Sequence, residues 1–330
     1  MENNIKKFVV CFILVLQLVG CTNNSVPIEE RKDLYISFTV THAISNSEEK
    51  FESDVYCYDL YKKQVKKVAT VPYTSQYPLT IYDENAGCVY YSGREKSKSI
   101  KKDELFQYDL ATEKSSKITS SLYAINYLFI KGDNIILGAI GDDNSKALGP
   151  KIYNKKTKQL KSLSWKEDDF IDVMSYNPVI DKVVFSSSSL KEQYEKMYKS
   201  NENGTPLEGV NNKIYILNDD QCQLEFEVKS SYMKNIVINK DAIYYQCTNT
   251  AFENSSGLKK YDLKTKKTVQ LDLVIGPGET LYVSENGNDI YYVNNSQLVK
   301  FNVETNKKEV LYSVDVTKEA INNAQIIQKD

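Results

Sequence analysis

The chain has 330 residues, of which 41% are hydrophobic and 26% charged, so apolar residues suffice for a sizeable core. A formal net charge of -2 leaves no broad basic field, which excludes an electrostatic nucleic-acid binder. The single histidine, His42, excludes a multi-histidine zinc site. There are 25 Tyr and 11 Phe against 1 Trp. Tyrosine suits half-buried sheet surfaces, so an all-β protein is expected.

In chain order, Lys6 and Lys7 precede an apolar run from Phe8 to Val19 that is too short for a comfortable membrane span. The run ends in Leu18-Val19-Gly20-Cys21, which resembles the lipobox of bacterial lipoprotein signal peptides. The resemblance implies a signal peptide over 1–20, a lipid on Cys21 and attachment to the outer side of a cell membrane. A plain secretory signal or an uncleaved anchor is the alternative. Residues 21–33 are polar and without periodicity, as a tether would be, and the folded domain is expected over 34–330. Cys57, Cys88, Cys222 and Cys247 remain in that domain and lie in or beside expected strands. An exported chain permits disulfides, but these positions favour buried free thiols. None has CxxC spacing.

A hairpin recurs: VYCYDLYKKQVKKV from Val55, LFQYDLATEKSSKI from Leu105, KIYNKKTKQLKSL from Lys151, KIYILNDDQCQLEFEV from Lys213, LKKYDLKTKKTVQL from Leu258 and LVKFNVETNKKEVL from Leu298. Five copies place an aromatic and then Asp or Asn before the turn: Tyr58-Asp59, Tyr108-Asp109, Tyr153-Asn154, Tyr261-Asp262 and Phe301-Asn302. The aromatic is suited to an inter-sheet core. The Asp or Asn is suited to accept hydrogen bonds from turn amides. Before each hairpin lies a short apolar strand, beginning at Leu34, Val89, Ile135, Val183, Ile243 and Ile290. Five of these follow a polar turn and an earlier strand, as in YPLTIY, INYLFI, FIDVMSY, MKNIVI and ETLYVS. The unit is therefore four strands, a to d. Such a unit returning every ~40–50 residues marks a β-propeller blade. The expected fold is all-β, a six-bladed β-propeller of four-stranded antiparallel blades, with a β-sandwich as the alternative.

The runs VSENGNDIYYVNN and LFQYDLATEKSSKIT resemble the TolB-like family of bacterial propeller repeats. In that family a Ser-Pro-Asp-Gly-type turn joins strands a and b, and a Thr-Gly-Lys-type turn joins c and d. The chain departs from it where DENAG, KGDN or NPVID replaces the first turn. The resemblance implies a fold and leaves function open. The first unit lacks strand a; Ala320–Ile327 is suited to supply it and close the ring, or to form a short terminal helix.

The a–b and c–d turns are short, whereas the b–c connections are long: Thr41–Asp54, Arg94–Glu104, Gly141–Pro150, Ser188–Asn212 and Thr248–Gly257. In a propeller the b–c and d–a connections share one face. Long loops on a rigid scaffold commonly carry recognition, so ligand-binding candidates are taken there: His42, Arg94, Asp142, Asp143, Tyr194 and Tyr198. Leu190, Tyr194, Met197 and Tyr198 fall at helical spacing within the largest insertion, which predicts a short amphipathic helix packed on the propeller face. No GxSxG elbow is present for His42 to serve, and the two arginines, Arg31 and Arg94, fall short of a three-arginine carboxylate clamp. Gly141-Asp142-Asp143-Asn144-Ser145 has calcium-like ligand types without the calcium-loop spacing. These residues point to a monomeric, non-enzymatic binding or scaffolding module without metal or cofactor. Its expected partner is a protein or glycan at the cell envelope, with no nucleic acid. A hydrolytic propeller using loop carboxylates and a sensor working with a membrane partner are the alternatives.

Overall fold

The computed structural model describes residues 33–44, 51–73, 75, 77–94, 102–142, 147–163, 169–251, 253, 257–275, 279–294 and 296–329. The leader, Cys21, most of the tether and Asp143 lie outside the described residues.

The chain folds into consecutive antiparallel sheets. The first contains β1 (Leu34–Ala43), β2 (Phe51–Asp59) and β3 (Gln64–Pro72). The second contains β4 (Thr80–Asp83), β5 (Cys88–Arg94), β6 (Asp103–Asp109) and β7 (Lys114–Lys117). The third contains β8 (Leu122–Lys131), β9 (Asn134–Gly141), β10 (Gly149–Asn154) and β11 (Gln159–Ser162). A 7-stranded sheet follows, with β12 (Asp169–Asn177), β13 (Lys182–Ser189), β14 (Val210–Asn218), β15 (Gln221–Ile238), β16 (Ala242–Thr248), β17 (Gly257–Asp262) and β18 (Thr268–Val274). Its middle strand, β15, is the fourth strand of one four-stranded unit and the first of the next. Ser230, with φ 44°, lies where the chain passes from one role to the other. The last sheet contains β19 (Glu279–Val283), β20 (Asp289–Asn294), β21 (Gln297–Asn302) and β22 (Lys307–Ser313).

The terminal segment is a strand, not a helix. β23 (Glu319–Gln328) pairs antiparallel with β1 and completes the first sheet in the order β23-β1-β2-β3. The first strands of the units lie against one another in the order β4, β8, β12, β15, β19 and β23, and β23 returns to β4. The apolar clusters sit between successive sheets. Leu34, Ile36 and Phe38 of β1, for instance, share one cluster with Tyr282 and Tyr291 of the last sheet. The outer strands β3, β7, β11 and β22 are mostly exposed.

The hairpin turns follow from the Asp or Asn at their start. Asp59 Oδ1 accepts from the amides of Tyr61 at 3.0 Å and Lys62 at 2.8 Å. Asp109, Asn154, Asp262 and Asn302 accept in the same way from Thr112, Thr157, Thr265 and Thr305. The preceding Tyr58, Tyr153 and Tyr261 are buried between sheets. The last turn residue is left-handed in every one of these copies: Lys63, Glu113, Lys158, Lys266 and Asn306 have φ of 52–58°. In ATEK, Glu113 stands where the Thr-Gly-Lys pattern has glycine, and a side chain there costs about 1–2 kcal/mol in the left-handed region.

Asn or Asp at the a–b turns also ties one unit to the next. Asn177 Nδ2 donates to the Ile238 carbonyl at 2.7 Å, and Asn239 Nδ2 donates to the Ser284 carbonyl at 3.0 Å. Asp83 accepts from Lys155 Nζ at 2.9 Å. All three side chains are buried, so these bonds fix neighbouring sheets where an unpaired amide would be costly.

One connection is markedly shorter than the sequence suggests. β1 and β2 extend far into the expected loop Thr41–Asp54, because Thr39, Val40 and Thr41 continue as strand against Val55, Asp54 and Ser53. The long insertion contains α1 (Leu190–Asn203), the one helix among the described residues. Ser189 Oγ caps it by accepting from the Glu192 amide, and Gly204 ends it at φ 61°.

Candidate functional site

The inner strands surround a cavity of about 450 Å³, within the range of small-molecule sites. A regular device lines it. In β8 the register steps from Ile125 to Tyr127, leaving Asn126 without a cross-strand partner. In β12 it steps from Ile171 to Val173 past Asp172, and in β15 from Met233 to Asn235 past Lys234. In β19 it steps from Thr280 to Tyr282, and where β23 meets β1 it passes over Asn322. Each is a one-residue bulge, which breaks the alternation of a strand and re-aims a side chain. Asn126, Asp172, Lys234 and Asn322 all border the cavity.

Asp172 has the most telling environment. Its Oδ1 accepts from Gln193 Nε2 of α1 at 3.1 Å, and the same amide nitrogen reaches Ser188 Oγ at 2.6 Å. Its Oδ2 is buried without a hydrogen-bond partner. Its backbone carbonyl accepts from Tyr127 Oη at 2.7 Å, which ties β12 to β8. Gly138 on β9 makes room for this contact, because a Cβ there would stand 2.7 Å from the Tyr127 ring. Burial pushes the Asp172 carboxyl up to about 7; the negative Asp169 adds to the rise, and hydrogen bonds from Ser188 and Gln193 oppose it. Gln325 of β23 is the second notable group. Its Nε2 donates to the Leu128 carbonyl of β8, and its Oε1 is buried without a partner. Lys234 Nζ donates to the Ala251 carbonyl at 2.8 Å, at the exposed rim.

The residues expected to bind ligand lie on or next to the b–c connections, and none of the described ones borders the cavity. His42 is on β1, half-buried, with Nε2 3.9 Å from Glu52 and Nδ1 3.8 Å from Asp54. It is thus a strand residue beside two carboxylates and not a solvated loop residue. Arg94 Nε donates to buried Asp103 at 2.8 Å, an ion pair that pins the base of the β5–β6 connection. Asp142 pairs with Lys102 at 2.5 Å, joining the b–c connections of two neighbouring sheets. Tyr194 and Tyr198 are 54% and 63% exposed. Of the apolar stripe of α1, Leu190 and Met197 are half-buried, whereas the two tyrosines do not pack as expected, and no residue of the helix is fully buried. Polar groups hold the helix instead: Gln193 on Asp172, Glu192 on the Asn211 amide and Lys196 on the Gly209 carbonyl. With that attachment the two tyrosines stay exposed.

The four cysteines are free thiols; Cys57, Cys88 and Cys247 are buried, and Cys222 is half-buried. Burial pushes Cys57 up to about 12 and Cys88 and Cys222 to about 11, so these three are protonated at neutral pH.

The bulged residues were legible in principle. Four of them are polar residues that follow an apolar one, as in Ile125-Asn126-Tyr127, Ile171-Asp172-Val173, Met233-Lys234-Asn235 and Ile321-Asn322-Asn323. Aligning the inner strands with one another exposes the interruption, whereas reading each strand by itself does not.

No protein-family model matches the chain, and no curated protein matches it. Among solved structures, the crystal structure of a nidogen/laminin complex contains a chain that superposes with a TM-score of 0.57 at 10% identity, over 90% of this chain and 100% of that one. A structure from a study of two prolyl endopeptidases matches with a TM-score of 0.48 at 15% identity, over 90% of this chain and 43% of that one. The first likeness speaks for fold alone. With the four-stranded antiparallel sheets it makes the described part of this chain a β-propeller.

Asp172 generates a pH signature. Its folded pKa lies above the model-peptide value of 3.8, so the folded state holds the extra proton. Stability from this group is complete below about pH 4 and is lost as pH rises through about 7. Asp169, itself paired with Lys213, and Tyr232 are the titratable groups nearest to it. In urea denaturation, the stability of Asp172→Asn relative to the parent is expected to rise steadily between pH 4 and pH 8. A difference that stays constant across that range contradicts the assignment.

Proposed function

We propose that the chain is a lipoprotein held by a lipid on Cys21 at the outer side of a cell membrane, and that its folded part is a six-bladed propeller of the TolB-like kind. The basic, apolar and Leu-Val-Gly-Cys order of residues 6–21 supports the anchor. The ring of first strands β4, β8, β12, β15, β19 and β23 supports the count of six, with β15 serving two blades.

The propeller acts as a monomeric, non-enzymatic binding module through the face that carries the b–c connections and the cavity mouth. The observation that carries this reading is the recurring bulge, which brings Asn126, Asp172, Lys234 and Asn322 to one cavity. The partner is a protein or a glycan of the cell envelope. The nidogen/laminin structure is itself a protein complex, so the fold is compatible with a protein partner.

One observation favours a hydrolytic reading: Asp172, titrating near neutrality, has the character of a general acid. Glycoside hydrolysis ordinarily needs a second carboxylate about 5–10 Å away. Among the described residues bordering the cavity, Asp172 is the one carboxylate. Binding is therefore the better-supported reading.

Two measurements test it. Fatty-acid labelling should tag the parent chain and fail to tag Cys21→Ser; a labelled Cys21→Ser chain refutes the anchor. For the face, immobilised domain is offered cell-wall glycan and solubilised membrane proteins. Capture should be lost in a Tyr194→Ser, Tyr198→Ser double variant and kept in Lys62→Ala, Lys266→Ala on the opposite turns. The reverse pattern, or release of shortened glycan, contradicts the proposal.

A further inference from the structure

The cavity shows which chemistry it lacks. Two buried oxygens, Asp172 Oδ2 and Gln325 Oε1, have no hydrogen-bond partner among the described residues. Both belong to side chains whose other polar atom is held. Gln325 Nε2 donates to the Leu128 carbonyl of β8, and Asp172 Oδ1 accepts from Gln193 Nε2 of α1. The two acceptors stand on different sheets, Asp172 on β12 and Gln325 on β23. An acceptor left without a donor in a low-dielectric site costs about 1–3 kcal/mol, and more when it carries charge.

What they need is a hydrogen-bond donor. No ion pair forms on Asp172 among the described residues, since the nearest charged influence is the like charge of Asp169. Lys234, the other charged residue bordering the cavity, directs its Nζ to the Ala251 carbonyl. Tyr77, Tyr127, Phe129, Phe170 and Tyr176 supply aromatic surface to the same wall. Aromatic rings close to a desolvated carboxylate attract an organic cation twice, by the ring quadrupole and by the opposite charge.

We propose that this cavity binds a small organic amine in its ammonium form, with the ammonium donating to Asp172 Oδ2 and Gln325 Oε1 and the apolar body against the aromatic wall. This deepens the binding reading above and rests on it. An ammonium supplies three donors and a full positive charge. A neutral polyol supplies donors without the charge, and a carboxylate supplies neither. An ammonium on Oδ2 would favour the ionised form of Asp172 and return the group, raised by burial, toward the ordinary carboxylate range.

The test uses a matched set of probes on the folded domain: benzylamine, benzyl alcohol, phenylacetate and methyl glucoside, each titrated by calorimetry at pH 8. Benzylamine is expected to bind at least about tenfold more tightly than benzyl alcohol, a difference of about 1.4 kcal/mol. Phenylacetate and the glucoside are expected not to compete. In Asp172→Asn, which keeps the shape of the side chain, the advantage of the amine over the alcohol should disappear. The amine–alcohol contrast in the parent chain does not depend on how a variant folds. Equal binding of amine and alcohol, or binding of the glucoside alone, overturns the ammonium assignment while leaving the cavity as a binding site. Binding of none of the probes overturns the assignment as well. The capture experiment with the tyrosine variants reads the binding face independently of either result.

Discussion

The pairing of β23 with β1 is the constraint on which the rest of the structure depends. A β-sheet unit of four short strands has two apolar faces, and each needs a neighbour. An open row of such units leaves an apolar face at each end. Here the last strand of the chain becomes the inner strand of the first sheet, and Leu34, Ile36 and Phe38 meet Tyr282 and Tyr291 of the last sheet. The ring closes between sheets built from opposite ends of the chain. Closure also carries an entropic cost, because residues far apart in sequence must meet. The buried bond from Thr39 to Asn323 and the Asn323 amide on the Thr80 carbonyl lock that contact to the second sheet.

The same closure creates the cavity. Inner strands that face one another around a ring cannot all fill the centre with side chains. Paired residues of these strands pack between sheets, as Ile125, Ile171 and Ile236 do. The bulged residues Asn126, Asp172, Lys234 and Asn322 are released from that pattern and border the cavity. The price of a bulge is a lost ladder position, and the loss recurs in β8, β12, β15, β19 and β23. The helix α1 then joins the site through Gln193, so the largest insertion is coupled to the one carboxylate of the described cavity wall.

Most of the fold was legible because its signals are local. The Asp and Asn of the hairpin turns act on amides two or three residues away, and the strand alternation repeats every two residues. Both survive in one sequence without any comparison. Closure was half legible: AINNAQII has strand-like apolar spacing, but its partner lies almost three hundred positions away. The site was legible only in part. The long connections singled out residues that do not border the cavity, and His42, Arg94 and Asp142 are engaged with neighbouring side chains. Tyr194 and Tyr198 were expected to pack and do not, because the helix is attached through its polar side. Asp172 is a polar interruption that alignment of the inner strands exposes, but its character comes from burial and from a glutamine on an insertion, and neither can be read from spacing.

The closed ring with a polar cavity at its centre is thus the core of the account, and hydrogen–deuterium exchange of the folded domain tests it most directly. The amides of β23 that pair with β1 should be protected to the same degree as those joining β1 to β2, and should exchange only with global opening. Exchange of β23 as a frayed terminus, with β1 to β3 still protected, would contradict closure and with it the cavity.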